Sequence, residues 1–288
     1  MEKTVLLSVI RSYVKKMPSL STTVSKILEI CNDPRTSPTD LNQVISLDPV
    51  LMARVMKLIN SAYYSLPNRI TSLVRAIIML GINTVKNLAL STAVLSNFGK
   101  KSSFQALDMD GFWRHSLCVG VTAKYLASTR NVEKSYLEEY FVAGLLHDLG
   151  KIPLNNRLME DYVEALSLSE AEQCPLYVAE ERILEVNHSE VGKIIMESWS
   201  LSTDISDTAF YHHAIKEYSG EHQDILYTVT AANFFANAHE IGFSGDRFSE
   251  PLPREVFEYL GIDEDFMTTI AGRVNSEIER AKIFLRVV

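Results

Sequence analysis

The sequence predicts an all-α protein, and three observations support that prediction. Nearly every segment with a regular apolar pattern has the helical period of about 3.6 residues. No series of segments alternates apolar and polar residues as the strands of a sheet would, and no glycine-rich phosphate loop follows a strand. The chain has 288 residues and is 47% hydrophobic, which is enough apolar material for a sizeable core.

The first block of predicted helices runs to residue 98. It begins with an amphipathic segment, "MEKTVLLSVIRSYVKK", and continues with "TTVSKILEIC", whose apolar residues share one face. Two later helices each begin with a capping residue and then a proline, at Ser37 and at Asp48. The helix "SLVRAIIMLG" is expected to end at Gly81 as a left-handed C-cap, and "NTVKNLALSTAVLSNF" follows it directly.

A polar interval, "GKKSSFQALDMDG", separates this block from a second one. We place the boundary near residue 105, so residues 1–105 form an N-terminal helical subdomain and residues 106–288 a second helical subdomain with a C-terminal extension. Each segment of the second block is predicted to be one helix: "FWRHSLCVGVTAKYLAST", "SYLEEYFVAGLLHDLGK", "LYVAEERILEVNHSEVGKIIMESW", "DISDTAFYHHA", "DILYTVTAANFFANAHE" and "FMTTIAGRVNSEIERAKIFLRVV".

The charge balance bears on the partners of the protein. The net charge is −8 and no dense run of lysine and arginine occurs, whereas a nucleic-acid binder needs a basic surface to neutralise phosphates. Nucleic acid is therefore not expected as a partner. A small anionic ligand stays open, because a local pocket can be positive within an acidic protein.

The cysteines and the hydropathy predict a cytoplasmic protein with no membrane partner. The three cysteines, Cys31, Cys118 and Cys174, are odd in number and contain no CxxC pair, which fits a reduced compartment. The apolar stretch at the N-terminus is too short for a signal peptide. No window of the sequence approaches the roughly 18 apolar residues of a membrane span.

Five of the seven histidines fall in helical segments of the second block. The strongest local clue is His147 beside Asp148 at the end of "FVAGLLHDLGK", where the two side chains could approach a metal site from two sides. The pair also suits a plain polar helix terminus, since Gly150 is expected to stop the helix and histidine is favoured near a helix C-terminus. The local pattern leaves both interpretations open.

Other residues could join a nitrogen-rich site. His188 lies in "NHSEVG", and His212 and His213 form a second adjacent pair in "YHHA", although each motif alone also suits an exposed polar turn. Glu190 is a further acidic candidate, but a solvated position on its helix is the simpler interpretation. Such ligands suit iron, manganese, zinc or nickel, as one or two ions, and the sequence does not choose among them.

Four motifs, in this order and at these separations, resemble the HD superfamily of metal-dependent phosphohydrolases: "FWRHS", "GLLHDLGKI", "NHSEVG" and "FYHHA". The first block is similar to the related HDOD family, since it carries "DPVLMARVMKLINSAYY" and "ITSLVRAIIMLGINTVKNLAL". The resemblance covers residues 15–215. It implies a multi-helical HDOD fold, with an N-terminal helical bundle packed on an HD-like core, and a role in bacterial signal transduction.

The resemblance also implies the members of a metal site. Asp148 would bridge two metals and Lys151 would offset the charge of a substrate phosphate, so these two are the expected catalytic residues. Two sets of three residues would complete the site: His115, His147 and Asn233 for one ion, and His188, His212 and His213 for the other.

Two departures from the pattern of the superfamily bear on activity. Asn233 stands where the superfamily has its final aspartate, and an amide oxygen brings no charge to a metal. The chain reads "HHAIKEYSGEHQ" where phosphodiesterases of the HD-GYP type carry an acidic residue and a Gly-Tyr-Pro element. Cyclic-di-GMP hydrolysis of that type is therefore not expected.

Two functions from different classes follow. The favoured one is a regulatory signalling module that keeps its metal site and acts through a signalling protein partner or a small phosphate-containing ligand. The alternative is a metal-dependent phosphohydrolase, a phosphodiesterase acting on a nucleotide or cyclic nucleotide.

Overall fold

A computed structural model describes residues 3–15, 20–98 and 106–287, with side chains from residue 6 onward. These ranges contain seventeen α-helices, one short 3₁₀ helix and no strand. The prediction of an all-α protein is therefore confirmed.

Six helices form the N-terminal block: α1 (Lys3–Val14), α2 (Thr22–Cys31), α3 (Pro38–Ser46), α4 (Pro49–Ile59), α5 (Leu73–Leu80) and α6 (Ile82–Phe98). Ser37 caps α3 in a reciprocal capping box with Asp40, and the Asp48 side chain accepts from two backbone amides at the start of α4. Both predicted caps are confirmed.

The turns of this block carry one correction. Gly81 ends α5 at positive φ, as expected, but its φ of 89° and ψ of 156° lie outside the left-handed helical region that we predicted. Asn60, at the end of α4, has a structural role: its amide donates to the backbone carbonyls of Met56 and Ile70 and accepts from the amide of Ile70. The side chain thereby ties the end of α4 to the segment that leads into α5.

Eleven helices form the second block: α7 (Met109–Thr129), α8 (Leu137–Leu146), α9 (Lys151–Arg157), α10 (Met159–Glu172), α11 (Leu176–Leu184), α12 (His188–Ser198), α13 (Thr203–Tyr211), α14 (Gln223–Ala238), α15 (Arg254–Leu260), α16 (Glu264–Ala281) and α17 (Ile283–Val287). The 3₁₀ helix, Ile215–Glu217, lies between α13 and α14.

Two segments predicted as single helices are each divided, so both predictions were wrong. The segment from residue 176 to 199 breaks at Glu185, which has positive φ, and a new helix begins after Asn187, whose side chain accepts from the amide of Glu190. The C-terminal segment breaks at Lys282, between α16 and α17.

The two blocks share one core of buried apolar side chains that extends from α1 to α17. Helix α1 packs on α9 and α12 of the second block, and α17 packs back on α4 and α6 of the first. The proposed boundary at residue 105 lies outside the described residues, so the division into two subdomains stays a prediction.

A buried polar cluster marks one place where the blocks meet. Lys124 of α7 forms an ion pair with Glu138 of α8 and donates to the hydroxyl of Tyr63 at 3.1 Å. Tyr64, from the same N-terminal loop, donates to Glu138 at 2.7 Å. The ring of Tyr63 also lies edge-on to Phe284 of α17. This inter-block cluster therefore joins the loop after α4 to α7, α8 and α17.

In the described part of the chain, no single helix is long and apolar enough to cross a membrane; α5 and α6 would be so only if taken together, and the chain bends by 116° between them. The three cysteines are unpaired.

Candidate metal centre

The segment that carries His147 and Asp148 is a helix end followed by a tight turn. Helix α8 ends at Leu146, His147 is its C-cap, and α9 begins at Lys151. Gly150 does not act as the C-cap that we expected, since the helix ends before it and its φ is −62°. A glycine is required at this position because a Cβ atom would lie 1.9 Å from the carbonyl oxygen of His188. Gly150 thus lets the turn after α8 reach the start of α12.

Four other helices bring the remaining candidates to this turn. His115 lies within α7 and Asn233 within α14, while His188 is the first residue of α12. His212 is the C-cap of α13 and His213 follows it. Most of these side chains therefore project from helix ends, where two adjacent residues can face one point.

The carboxylate of Asp148 lies at the centre of the cluster. Its Oδ1 atom is 3.2 Å from Nε2 of His188 and 3.6 Å from Nε2 of His212. Its Oδ2 atom is 3.5 Å from Nε2 of His147 and 3.9 Å from Nε2 of His115.

The remaining members surround these five residues. The Lys151 ammonium donates to Asp148 Oδ2 at 2.7 Å, and Nε2 of His213 is 3.1 Å from Nε2 of His188. Asn233 Oδ1 is 3.0 Å from Nε2 of His115. The structure brings all eight predicted site residues together, and the acid and imidazole members fall into two sets that share Asp148, as the resemblance implies. Their roles as ligands stay a prediction.

Hydrogen bonds fix how three of the imidazoles are protonated. Nδ1 of His147 lies 2.7 Å from the carbonyl oxygen of Gly144, and Nδ1 of His212 lies 3.0 Å from that of Ala209. Nδ1 of His188 lies 2.7 Å from the Glu180 carboxylate. Because a carbonyl or carboxylate oxygen only accepts, each Nδ1 carries a proton and each neutral ring presents an Nε2 lone pair. These lone pairs face the oxygens of Asp148.

Burial favours the neutral form of His115, His147 and His212, whereas the surrounding charges favour the ionised form of Asp148. Burial lowers the pKa of His115 to about 4 and that of His147 to about 3, and it also lowers the pKa of His212. Burial acts to raise the pKa of the Asp148 carboxyl, but the charges of His147 and Lys151 hold that pKa well below its ordinary value. At neutral pH the cluster therefore presents imidazole lone pairs to a carboxylate.

This donor set suits a divalent metal. Among the described residues, Asp148 Oδ1 and the Nε2 atoms of His147 and His212 are buried without a hydrogen-bond partner. A buried acceptor without a partner costs roughly 1–3 kcal/mol, and several such acceptors converge here. A cation among them would satisfy all of them at once, and imidazole with carboxylate is a usual ligand set for zinc, iron or nickel.

Three residues that support the cluster were not predicted from the sequence. Glu180 is fully buried and accepts from both the backbone amide and Nδ1 of His188. Ser244, also buried, accepts from Lys151 at 3.2 Å, and the buried Asp246 lies close enough for the charge of Lys151 to act on its carboxyl. The pattern Asn187–x–x–Glu190 could have revealed the helix break that brings Glu180 back to His188. We find no sequence signal for Ser244 or Asp246.

Access to the cluster is narrow. A cavity of about 60 Å³ borders His212, His213 and Asn233 and is also lined by residues 249–253. The ring of Tyr177 stacks on His213 with 4.6 Å between centroids, and its hydroxyl donates to Glu250 at 3.1 Å. A groove of about 850 Å³ borders the same segment and reaches the cluster at His213. Its charged lining residues are Glu181, Glu190, Glu217, Glu250 and Lys216.

Comparisons with known proteins agree with this architecture. A solved HDOD domain protein of unknown function from Geobacter sulfurreducens is 26% identical, with a TM-score of 0.77 and 99% of each chain covered. A Shewanella amazonensis SB2B protein named "Putative phosphohydrolase" is 20% identical, with a TM-score of 0.71 and coverage of 96% of this chain and 97% of that one. The second likeness bears on the fold alone.

The sequence comparisons identify the family. The chain spans about half the length of the curated relative it matches, an uncharacterised protein of Treponema pallidum (strain Nichols): the two are 23% identical over 281 residues, which is 96% of this chain and 53% of that protein. The family model described as "HDOD domain" matches residues 17–215, which is most of the chain. The chain belongs to the HDOD domain family.

Proposed function

We propose that this protein is a regulatory module of bacterial signal transduction that binds a divalent transition metal at the Asp148 cluster and does not turn over a phosphoester. The observation that carries the proposal is the burial of the acid and the lysine at the centre of the cluster. Asp148 is 1% exposed, it is ion-paired to a Lys151 that is equally buried, and the adjoining cavity holds only a few water molecules.

The residues that would hold metal divide at the Asp148 carboxylate. On the Oδ1 side these are His188, His212 and His213; on the Oδ2 side they are His115, His147 and Asn233. A bound divalent metal supplies Lewis acidity and lowers the pKa of coordinated water. Iron, manganese, zinc and nickel all suit this set.

The chain itself orients and charges the cluster. The Glu180 carboxylate holds the ring of His188 by its Nδ1 proton, which directs Nε2 to the site and makes that nitrogen more basic. The Gly144 and Ala209 carbonyls do the same for His147 and His212. These contacts support metal binding, whatever chemistry follows.

Two features favour regulation over turnover. Sites for small molecules usually measure about 300–1,000 Å³, far above the 60 Å³ of the cavity that borders His212 and Asn233. The groove of about 850 Å³ borders His213 but neither Asp148 nor Lys151. The larger groove outside has four carboxylates and one lysine among its charged lining residues, so it repels a phosphate anion. A signalling protein is therefore the partner that we propose first, and a small phosphate-containing ligand second.

A second candidate is a phosphohydrolase acting on a nucleotide or cyclic nucleotide. The observation in its favour is the Lys151 ammonium beside Asp148, because a lysine so placed could offset the charge of a phosphate. Turnover would require residues 249–253 and Tyr177 to move away from His213.

One experiment separates the two candidates. The purified protein is tested for metal content and then for hydrolysis of a panel of phosphomonoesters, phosphodiesters and cyclic nucleotides with added Mn²⁺, Fe²⁺ or Zn²⁺. We expect bound metal and no turnover above that of Asp148→Ala. Turnover that disappears in Asp148→Ala would establish the phosphohydrolase instead, and a protein without bound metal would refute both.

A further inference from the structure

The two sides of the Asp148 carboxylate differ in the hydrogen-bond partners and positive charge that they already have. On the Oδ2 side, Lys151 donates to the carboxylate and Asn233 contacts Nε2 of His115, which leaves Nε2 of His147 without a partner. On the Oδ1 side, among the described residues, both Oδ1 and Nε2 of His212 are unpartnered. The Oδ2 side thus already holds a cation, and the Oδ1 side does not.

The lysine that supplies this cation is held in place. Lys151 is 1% exposed, and its ammonium also donates to Ser244, which is 1% exposed. Ser244 belongs to a loop between α14 and α15 that is pinned to α7 by a bond from the amide of Phe243 to the carbonyl of Gly111 at 2.9 Å. The loop lies outside the residues that match the family model. Lys151 is therefore fixed from two sides.

The position of Lys151 favours the same side. Its ammonium donates to Asp148 Oδ2 at 2.7 Å, on the side that Nε2 of His115 and Nε2 of His147 face. A divalent ion placed there would lie against the ammonium in a buried site, and close contact between two cations away from water is strongly unfavourable.

We propose that the cluster takes a single divalent ion on the Oδ1 side, bound by Asp148, His188, His212 and His213, and that the Lys151 ammonium stands in for the second ion. The proposal rests on the proposed metal binding and specifies how many ions the site holds and where. Asn233 fits this arrangement, because a neutral amide beside an ammonium is sufficient where an aspartate would serve a metal.

The first test needs no variant. Metal-free protein is titrated with Zn²⁺ in a calorimeter, and the zinc retained after gel filtration is measured by elemental analysis. We expect about one ion per chain at saturation, since four ligands complete a tetrahedral site. Protein loaded with Mn²⁺ should show the electron paramagnetic resonance signal of an isolated ion, and a spin-coupled pair would overturn the proposal.

Two variants test the role of Lys151 directly. Lys151→Met/Asn233→Asp removes the ammonium and adds an anionic ligand on the Oδ2 side, so we expect a second ion to bind there and the zinc content to double. Asn233→Asp alone keeps the ammonium and should stay at one ion. Lys124→Met is the matched control, because it removes another ion-paired lysine, which is partly buried and remote from the cluster, and should leave the stoichiometry at one.

The outcomes separate this proposal from the one it rests on. No zinc in the unmodified protein refutes metal binding itself. Two zinc ions in the unmodified protein, or one in a folded double variant, refute only the substitution of Lys151 for a metal. If the double variant does not fold, the Mn²⁺ signal of the unmodified protein decides between one ion and a spin-coupled pair.

Discussion

Helix α8 has a buried ion pair at each end, and the two pairs differ in their surroundings. At its start, Glu138 pairs with Lys124, and two tyrosine hydroxyls complete the contacts. Just past its end, Asp148 pairs with Lys151 among imidazoles that present lone pairs. The first carboxylate accepts from Tyr64 as well as from its lysine, and the second faces imidazole acceptors.

This difference shows how similar residues acquire different roles. A buried carboxylate surrounded by donors has its charge compensated, and such a pair fixes how helices meet. When a buried carboxylate faces histidine lone pairs, hydrogen-bond acceptors lie opposite one another and repel. A cation between them relieves that repulsion. In the inter-block cluster Lys124 and Tyr64 already donate to Oε1 of Glu138, whereas the Asp148 cluster needs a metal to relieve the repulsion among its acceptors.

The largest expected effect comes from removing each carboxylate in turn. Asp148→Ala removes the acid that both sets of histidines share, so bound zinc should fall from about one ion per chain to almost none. Glu138→Ala should keep its zinc and lose stability instead. Elemental analysis and thermal unfolding of both variants measure this contrast. Equal zinc contents in the two variants would contradict it.

Replacing Lys124 of the inter-block cluster should lower the stability of the protein and leave its zinc content unchanged. Lys124→Met leaves Glu138 charged and buried, and loss of one partner of a buried pair costs about 3–5 kcal/mol. Urea unfolding followed by circular dichroism measures the free energy of unfolding. A loss below about 1 kcal/mol would show that the pair is screened like an exposed one.

Acid should destabilise the metal-free protein because His115 and His147 are buried in their neutral form. His115 and His147 bind protons only near pH 4 and pH 3 when folded, but near pH 6.5 when unfolded, so the unfolded state takes up more protons as the pH falls below 6.5. Between pH 7 and pH 5 the free energy of unfolding should drop by about 4 kcal/mol. Unfolding curves across this range measure the drop, and His147→Gln should reduce it by about half. Equal stability at pH 7 and pH 5 would be inconsistent with neutral buried rings.

The smallest expected effect concerns the residue that orients His188. Glu180→Gln keeps an oxygen that can accept from the ring but removes its charge, so zinc affinity should fall about 10- to 100-fold. Competition with a chelator of known affinity measures the change. The neighbouring Glu181→Gln is the control, since Glu181 is exposed and bonds only to Asn187 among the contacts described. Unchanged affinity in Glu180→Gln would remove its orienting role.

Much of the fold followed from local chemistry. The caps at Ser37 and Asp48 depend on residues within three positions, so the sequence predicted them directly. The convergence of His115, His188 and His212 on Asp148 depends on how five helices pack, and spacing alone did not predict it. It came from the resemblance, which carries that packing implicitly.

The supporting residues were not predicted for the same reason. Glu180 reaches His188 only because the chain breaks at Glu185, and an uninterrupted helix would separate the two by more than two turns. Ser244 and Asp246 reach Lys151 across a long separation in sequence through a loop. Contacts made across a break or a loop leave no periodic trace.

Anomalous diffraction at the zinc edge from crystals of the zinc-loaded protein would count the bound ions and locate them. We expect one peak, within about 2.0–2.3 Å of Asp148 Oδ1 and of the Nε2 atoms of His188, His212 and His213. Lys151 should remain bonded to Oδ2 in the same crystal. No peak at the cluster, or a second peak beside His115 and His147 with Lys151 displaced, would contradict it.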